Sequence, residues 1–130
     1  MNAKELYTAL SAKYVNHYFA SYEELNVILD NATYPCMVVV PVSKSITFVA
    51  DRFKIVETVV VASLSKMDLD FSTESIYDTV KGLETSLLSN IYPFSRDITS
   101  YQNLSELNKF DANVAFAAFS IDIVNSPVCS

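Results

Sequence analysis

The chain has 130 residues, 51% of them hydrophobic and only 18% charged, with 9 Lys and Arg against 15 Asp and Glu. That length and apolar content suit one domain with a real core and exclude a disordered tail. A net charge of −6 argues against a grip on a phosphate backbone, which needs clustered Lys and Arg, but allows a passive wall beside DNA.

The opening MNAKELYTAL lacks an apolar core between a basic start and a cleavage site, so no signal peptide is expected. No apolar run approaches the roughly 18 residues of a membrane span. A soluble protein made inside the cell is therefore expected. Residues 2–19 predict a helix. Ala3, Leu6, Tyr7, Leu10, Tyr14, His17 and Tyr18 share one stripe at helical spacing. A short extended piece is expected over Asn26–Leu29, then a turn at Asp30, Asn31 and Thr33. Pro35 holds Tyr34 extended and opens a strand over Cys36–Val42. Pro41 cannot donate to a ladder, so it marks an edge, a bulge or an end. Ser43, Lys44 and Ser45 read as a turn, and Ile46–Ala50 as another strand.

The long strand Phe53–Ser65 is apolar on both faces. Val56, Val60, Ala62 and Leu64 lie on one side, and Ile55, Val59 and Val61 on the other. A loop containing Asp68 and Asp70 leads to a helix capped by Ser72 or Thr73, running to about Ile91 and ended by Pro93. Asp97–Gln102 predicts a hairpin strand, Leu104–Lys109 a polar connection, Ala112–Val124 a second long strand and Ser126–Ser130 a tail. Strands come in runs rather than alternating with helices. The expected fold is a single α+β domain over residues 1–130, a mainly antiparallel twisted sheet with two amphipathic helices on one face. The other face is expected to keep Val59, Val61, Val114 and Phe116, or their counterparts, uncovered, which calls for a second sheet or a neighbouring subunit.

No constellation of catalytic residues stands out. The only Gly, Gly82, leaves no phosphate-cradling loop, which excludes P-loop and Rossmann sites. His17, the only His, reads as a packed boundary residue without a partner acid. Cys36 and Cys129 have no metal spacing and read as a buried strand thiol and a tail thiol. Asp68 and Asp70 lack the pivot of a calcium loop and read as a solvated capping loop. Glu84 interrupts an apolar stripe and Glu57 sits inside the long strand. Each carboxylate needs a partner or a place at a rim. For Glu84, an ion pair across a subunit contact to Arg52 or Arg96 is one account and a snorkelling side chain the other. No cofactor is expected.

The order of elements resembles the tail-terminator and tail-completion proteins of long-tailed bacteriophages. The helix NAKELYTALSAKYVNHYF precedes the aromatic–Pro strand DNATYPCMVVVPV. The two-faced strand RFKIVETVVVASLS, one helix TESIYDTVKGLETSLLSNIY and a last strand ANVAFAAFSIDIV follow. The resemblance implies a non-enzymatic virion protein, made in the host cytoplasm. It would form a hexameric ring that caps the tail tube and joins it to the head connector. DNA would pass without specific binding. Glu57, Val59, Val61, Glu84, Arg52, Arg96 and Phe116 are then candidate subunit-interface residues, and Asp68 and Asp70 candidate channel-lining residues. Another neck component, or a small acidic binding module of chaperone or immunity type, are the competing expectations.

Overall fold

The computed structural model describes residues 1–67, 72–104 and 114–125. In chain order the elements are α1 (Ala3–Ser11), β1 (His17–Phe19), α2 (Tyr22–Asn31), β2 (Cys36–Val49), β3 (Arg52–Lys66), α3 (Thr73–Ile91), a 3-10 turn (Tyr92–Asp97), β4 (Ile98–Asn103) and β5 (Val114–Asn125). The strands form one sheet in the order β1-β2-β3-β5-β4. Only β1 and β2 are parallel; the other neighbours are antiparallel. The fold is α+β with a mainly antiparallel sheet, as composition and element order suggest.

Two crossovers organise the layers. The first, β1-α2-β2, joins adjacent parallel strands. The second, β3-α3-β4, skips one position, and β5 fills the gap between its strands. Both advance in the same direction across the sheet, but β3 runs opposite to β1 because a hairpin joins β2 to β3. Crossovers of one hand must then place their helices on opposite faces. They do. The C-terminal half of α3 joins α1 over Met37, Val39, Val59, Val61, Phe119, Ile121 and Ile123. Leu25 and Ala32, at and just beyond α2, pack on the reverse side against Cys36, Val38, Val40, Leu64 and Val114.

Three expectations need correction. The helix proposed over 2–19 stops at Ser11. Tyr14, His17 and Tyr18 fit a helical period, but the aromatic run His17–Phe19 pairs as a strand with Met37–Val39 instead. Residues 26–29 are not extended but lie inside α2, as do Asp30 and Asn31 of the expected turn. The signal was the spacing Ser21-x-x-Glu24. Ser21 Oγ accepts from the Glu24 amide and donates to the Glu24 carboxylate, an N-terminal cap. Ser43–Ser45 form no turn: β2 continues to Val49, and a bulge between Pro41 and Ser43 absorbs the Pro. The Tyr34–Pro35 peptide is cis.

The later elements follow the sequence closely. Ser72 and Ser75 form a reciprocal cap that starts α3. Its stripe buries Ile76, Val80, Leu87 and Ile91, while Tyr77 and Leu88 remain exposed. Small residues in β5 let α3 approach closely, with Ile76 and Val80 packed on Ala115. Asn90 Nδ2 donates to Tyr14 Oη at 3.0 Å, tying the end of α3 to the turn after α1. Residues 105–113 and 126–130, which include most of the expected polar connection, the tail and Cys129, lie outside the described residues.

Candidate functional site

The two sheet faces differ in cover. Beneath α1 and α3, Val59, Val61, Ile121, Leu6, Leu10, Leu87 and Ile91 are all 0% exposed. Val59 and Val61 are thus core residues and present nothing to a neighbour. Their expected grouping with Val114 and Phe116 is wrong by one step of phase. Register explains it: Val59 pairs with Ile121 and Val61 with Phe119, so they share the face of Ala115, Ala117, Phe119 and Ile121. Paired residues in an antiparallel ladder point the same way. Val114 and Phe116 point the other way, with Val60, Ala62 and Leu64.

On that reverse face α2 covers only part of the apolar surface. Beside it an apolar groove of about 190 Å³ remains, lined by ten residues that include Tyr22, Leu25, Val60, Ala62, Leu104 and Phe116. None of the ten is charged. Val60, Ala62 and Phe116 are half-buried, and Tyr22 is 57% exposed. The bordering helix α2 carries exposed Glu23, Glu24 and Asp30 and no basic residue; on the same sheet face Lys66 Nζ lies 5.6 Å from the Tyr34 ring. Further along the same face the surface turns polar, where Thr58 Oγ1 donates to Asp122 Oδ1 at 2.7 Å.

A second uncovered feature is the β2–β3 hairpin. Its ladder runs on from Ser43–Thr58 to Val49–Arg52, beyond the last β5 pairing at Ile55. The ribbon is amphipathic. Ile46 faces Ile55 and Phe48 faces Phe53, on one side; Ser45, Thr47, Lys54 and Arg52 occupy the other. Phe48 and Phe53 have ring centroids 6.3 Å apart. Yet Phe48 is 78% exposed and Ile46 55%. The two-residue turn places Ala50 at φ 53°, where an L-residue is strained.

Glu57 has a partner within the chain. Its Oε2 accepts from the Ala3 amide at 3.3 Å, at the positive end of α1. It sits opposite Lys44 in the ladder. A carboxylate inside an apolar strand is thereby accommodated at the edge of the sealed face. Glu84 is half-buried on α3, while Arg52 and Arg96 are exposed at the hairpin turn and in the 3-10 turn. Asp68 and Asp70 lie outside the described residues. His17 Nδ1 and Tyr7 Oη share a hydrogen bond of 2.8 Å, their rings stack edge-on at 5.6 Å, and Lys4 Nζ lies 5.0 Å from the Tyr7 ring. This is a packed edge cluster, built by strand β1 rather than by the expected helical stripe.

Cys36 is 1% exposed on the reverse face, and burial pushes its thiol up to about 11. A thiol so protonated is a poor nucleophile at neutral pH. Among the described residues no three His, Cys, Asp or Glu side chains come together to hold a metal ion, and no helix is long and apolar enough to cross a membrane. Sequence reasoning found an uncovered apolar face but missed the groove, α2 beside it and the hairpin's exposed stripe. The alternation Ile46, Phe48 and the pair Phe53, Ile55 was the available signal. No protein-family model and no curated protein matches the chain.

Proposed function

We propose that the chain is a structural assembly protein of the tail-terminator type. In this reading its copies close into a six-membered ring that caps a phage tail tube and joins it to the head connector, within the virion. One observation carries the reading: an apolar groove stays open beside the acidic helix α2, on a sheet whose opposite face is sealed by α1 and α3. Contiguous apolar surface of this kind marks an association site rather than a free surface. The order of β3, α3 and β5, which resembles that of tail terminators, and the acidic balance of the chain support the same reading, with β1 and α2 standing where the resemblance has a short segment and a turn. Acidic walls around a channel would let DNA pass without adhering.

The test is the mass of the purified chain in solution. Native mass spectrometry and sedimentation across a wide concentration range are expected to find a species of six times the 14.5 kDa chain. Negative-stain images should show rings with a central hole. A strictly monomeric chain at every concentration overturns the reading. A one-to-one complex with an unrelated protein, in place of self-association, would instead favour a small acidic binding module, for which the acidic helix α2 beside the groove is the supporting feature.

A further inference from the structure

We infer that the groove on the reverse sheet face is filled by the β2–β3 hairpin of a second copy of this chain, with Phe48 as the anchor. The inference rests on the assembly reading above and names its contact. Three observations converge on it.

The first is geometry. The groove lies on the face bearing Val38, Val60 and Phe116, whereas Ile46, Phe48, Phe53 and Ile55 lie on the opposite face. Val38 and Phe48 are also ten positions apart along β2, roughly 33 Å at strand rise. A chain cannot place its own hairpin in its own groove, but it can place it in a neighbour's. The second is size and polarity. An apolar cavity of about 150 Å³ is enough to hold a benzene ring. A groove of about 190 Å³ with no charged lining residue therefore has room for the Phe48 ring.

The third is charge. Residues 42–56 hold three basic residues, Lys44, Arg52 and Lys54, against one acidic, Asp51. The rest of the chain holds the remaining six basic against fourteen acidic residues. This basic hairpin of an acidic protein thus carries an exposed apolar stripe, with Lys44 on the Phe48 side of the ribbon and Arg52 and Lys54 on the other. The groove carries the reverse pattern: α2, which borders it through Tyr22 and Leu25, holds exposed Glu23, Glu24 and Asp30 and no basic residue, while Lys66 on the same sheet face lies over the Tyr34 ring. Opposite potentials of this kind steer encounter and fix register. Two unlike surface patches that recognise each other make a heterologous contact, which closes into a ring when the rotation permits.

Two measurements test it. Phe48→Asp alters a side chain already 78% exposed, so the chain should keep its far-UV spectrum. The concentration needed for half-assembly should rise roughly thirtyfold or more, the scale of a central anchor. For the contact itself, Phe48→Cys and Tyr22→Cys chains are made in a Cys129→Ser background; Cys36 is too buried to react. A short bismaleimide should join the two chains only when they are mixed, in a product containing one of each. An assembly that survives Phe48→Asp and gives no mixed product overturns the hairpin contact while leaving self-association standing. A closed dimer that gives the mixed product supports the contact and overturns the ring. A monomeric wild-type chain overturns both, and would assign the groove to residues 105–113 or to a different protein.

Discussion

The same three strands, β2, β3 and β5, build two apolar faces with different fates. On one, α1 and the 19-residue α3 leave Val59, Val61 and Ile121 without exposed surface. On the other, the 10-residue α2 is the only described helix, and Val60, Ala62 and Phe116 stay half-buried around a groove. At 1.5 Å per residue α3 spans roughly 28 Å and α2 only about 15 Å, while a 12-residue strand runs about 40 Å. Both faces are apolar at the middle of the sheet, although the reverse one turns polar at Thr58 and Asp122. What separates core from groove is the length of helix available to cover it.

Adjacent residues of β3 give the sharpest check on that contrast. Val61 lies under α1 and α3, and Val60 lines the groove. Val61→Ala should cost about 2–3 kcal/mol of unfolding free energy, because transfer and cavity terms add at a fully enclosed site. Val60→Ala should cost about 1 kcal/mol or less when measured on dilute, unassembled chain, because its neighbours already face open space. Urea denaturation of both variants decides it. Equal losses would mean that the reverse face is as enclosed as the first.

The second check concerns where the groove ends. Cys36 shares the reverse face but lies in its dry part, and burial raises its thiol from 9.0 to about 11. The unfolded chain loses this proton from about pH 9, while the folded chain holds it to about pH 11. The folded state therefore binds more protons in that window, and stability falls as pH rises, by up to about 1.4 kcal/mol per pH unit. Denaturation midpoints at pH 8 and pH 10, compared between the wild type and Cys36→Ala, isolate the effect. A fall of the same size in both would place water at Cys36 and extend the groove to it.

Strand periodicity told which residues of β3 share a face and which residues of β5 do. It could not phase one strand against the other, because that register is set by the hairpins and crossovers rather than by either segment. Hence Val59 and Val61 fell on the wrong side, while β3, β5 and α3 themselves were legible within a residue or two. Tyr14, His17 and Tyr18 misled for a different reason. Their spacing satisfies a helix, and only the chance to pair beside β2 makes His17–Phe19 a strand. The turn expected at Ser43–Ser45 rested on residue types that a bulge also tolerates. With β2 broken there, the exposed stripe of Ile46 and Phe48 had no ribbon to sit on, so half of the candidate contact was invisible.

The smallest expected effect asks whether the sealed side is also the idle side. Gly82 is exposed near the middle of α3, and a Cβ built there would meet nothing within 4 Å. Glycine in a helix interior is about 1 kcal/mol less favourable than alanine, through backbone entropy in the unfolded chain. Gly82→Ala should therefore raise stability by about 1 kcal/mol, read from the urea midpoint at unchanged slope. Because α3 lies on the face opposite the groove and packs over β3 and β5 rather than on the hairpin end, self-association should stay as in the wild type. If the added methyl instead weakened assembly, the outer side of α3 would be part of a subunit contact. The division of labour between the helix-covered core, for stability, and the groove and hairpin, for partners, would then fail.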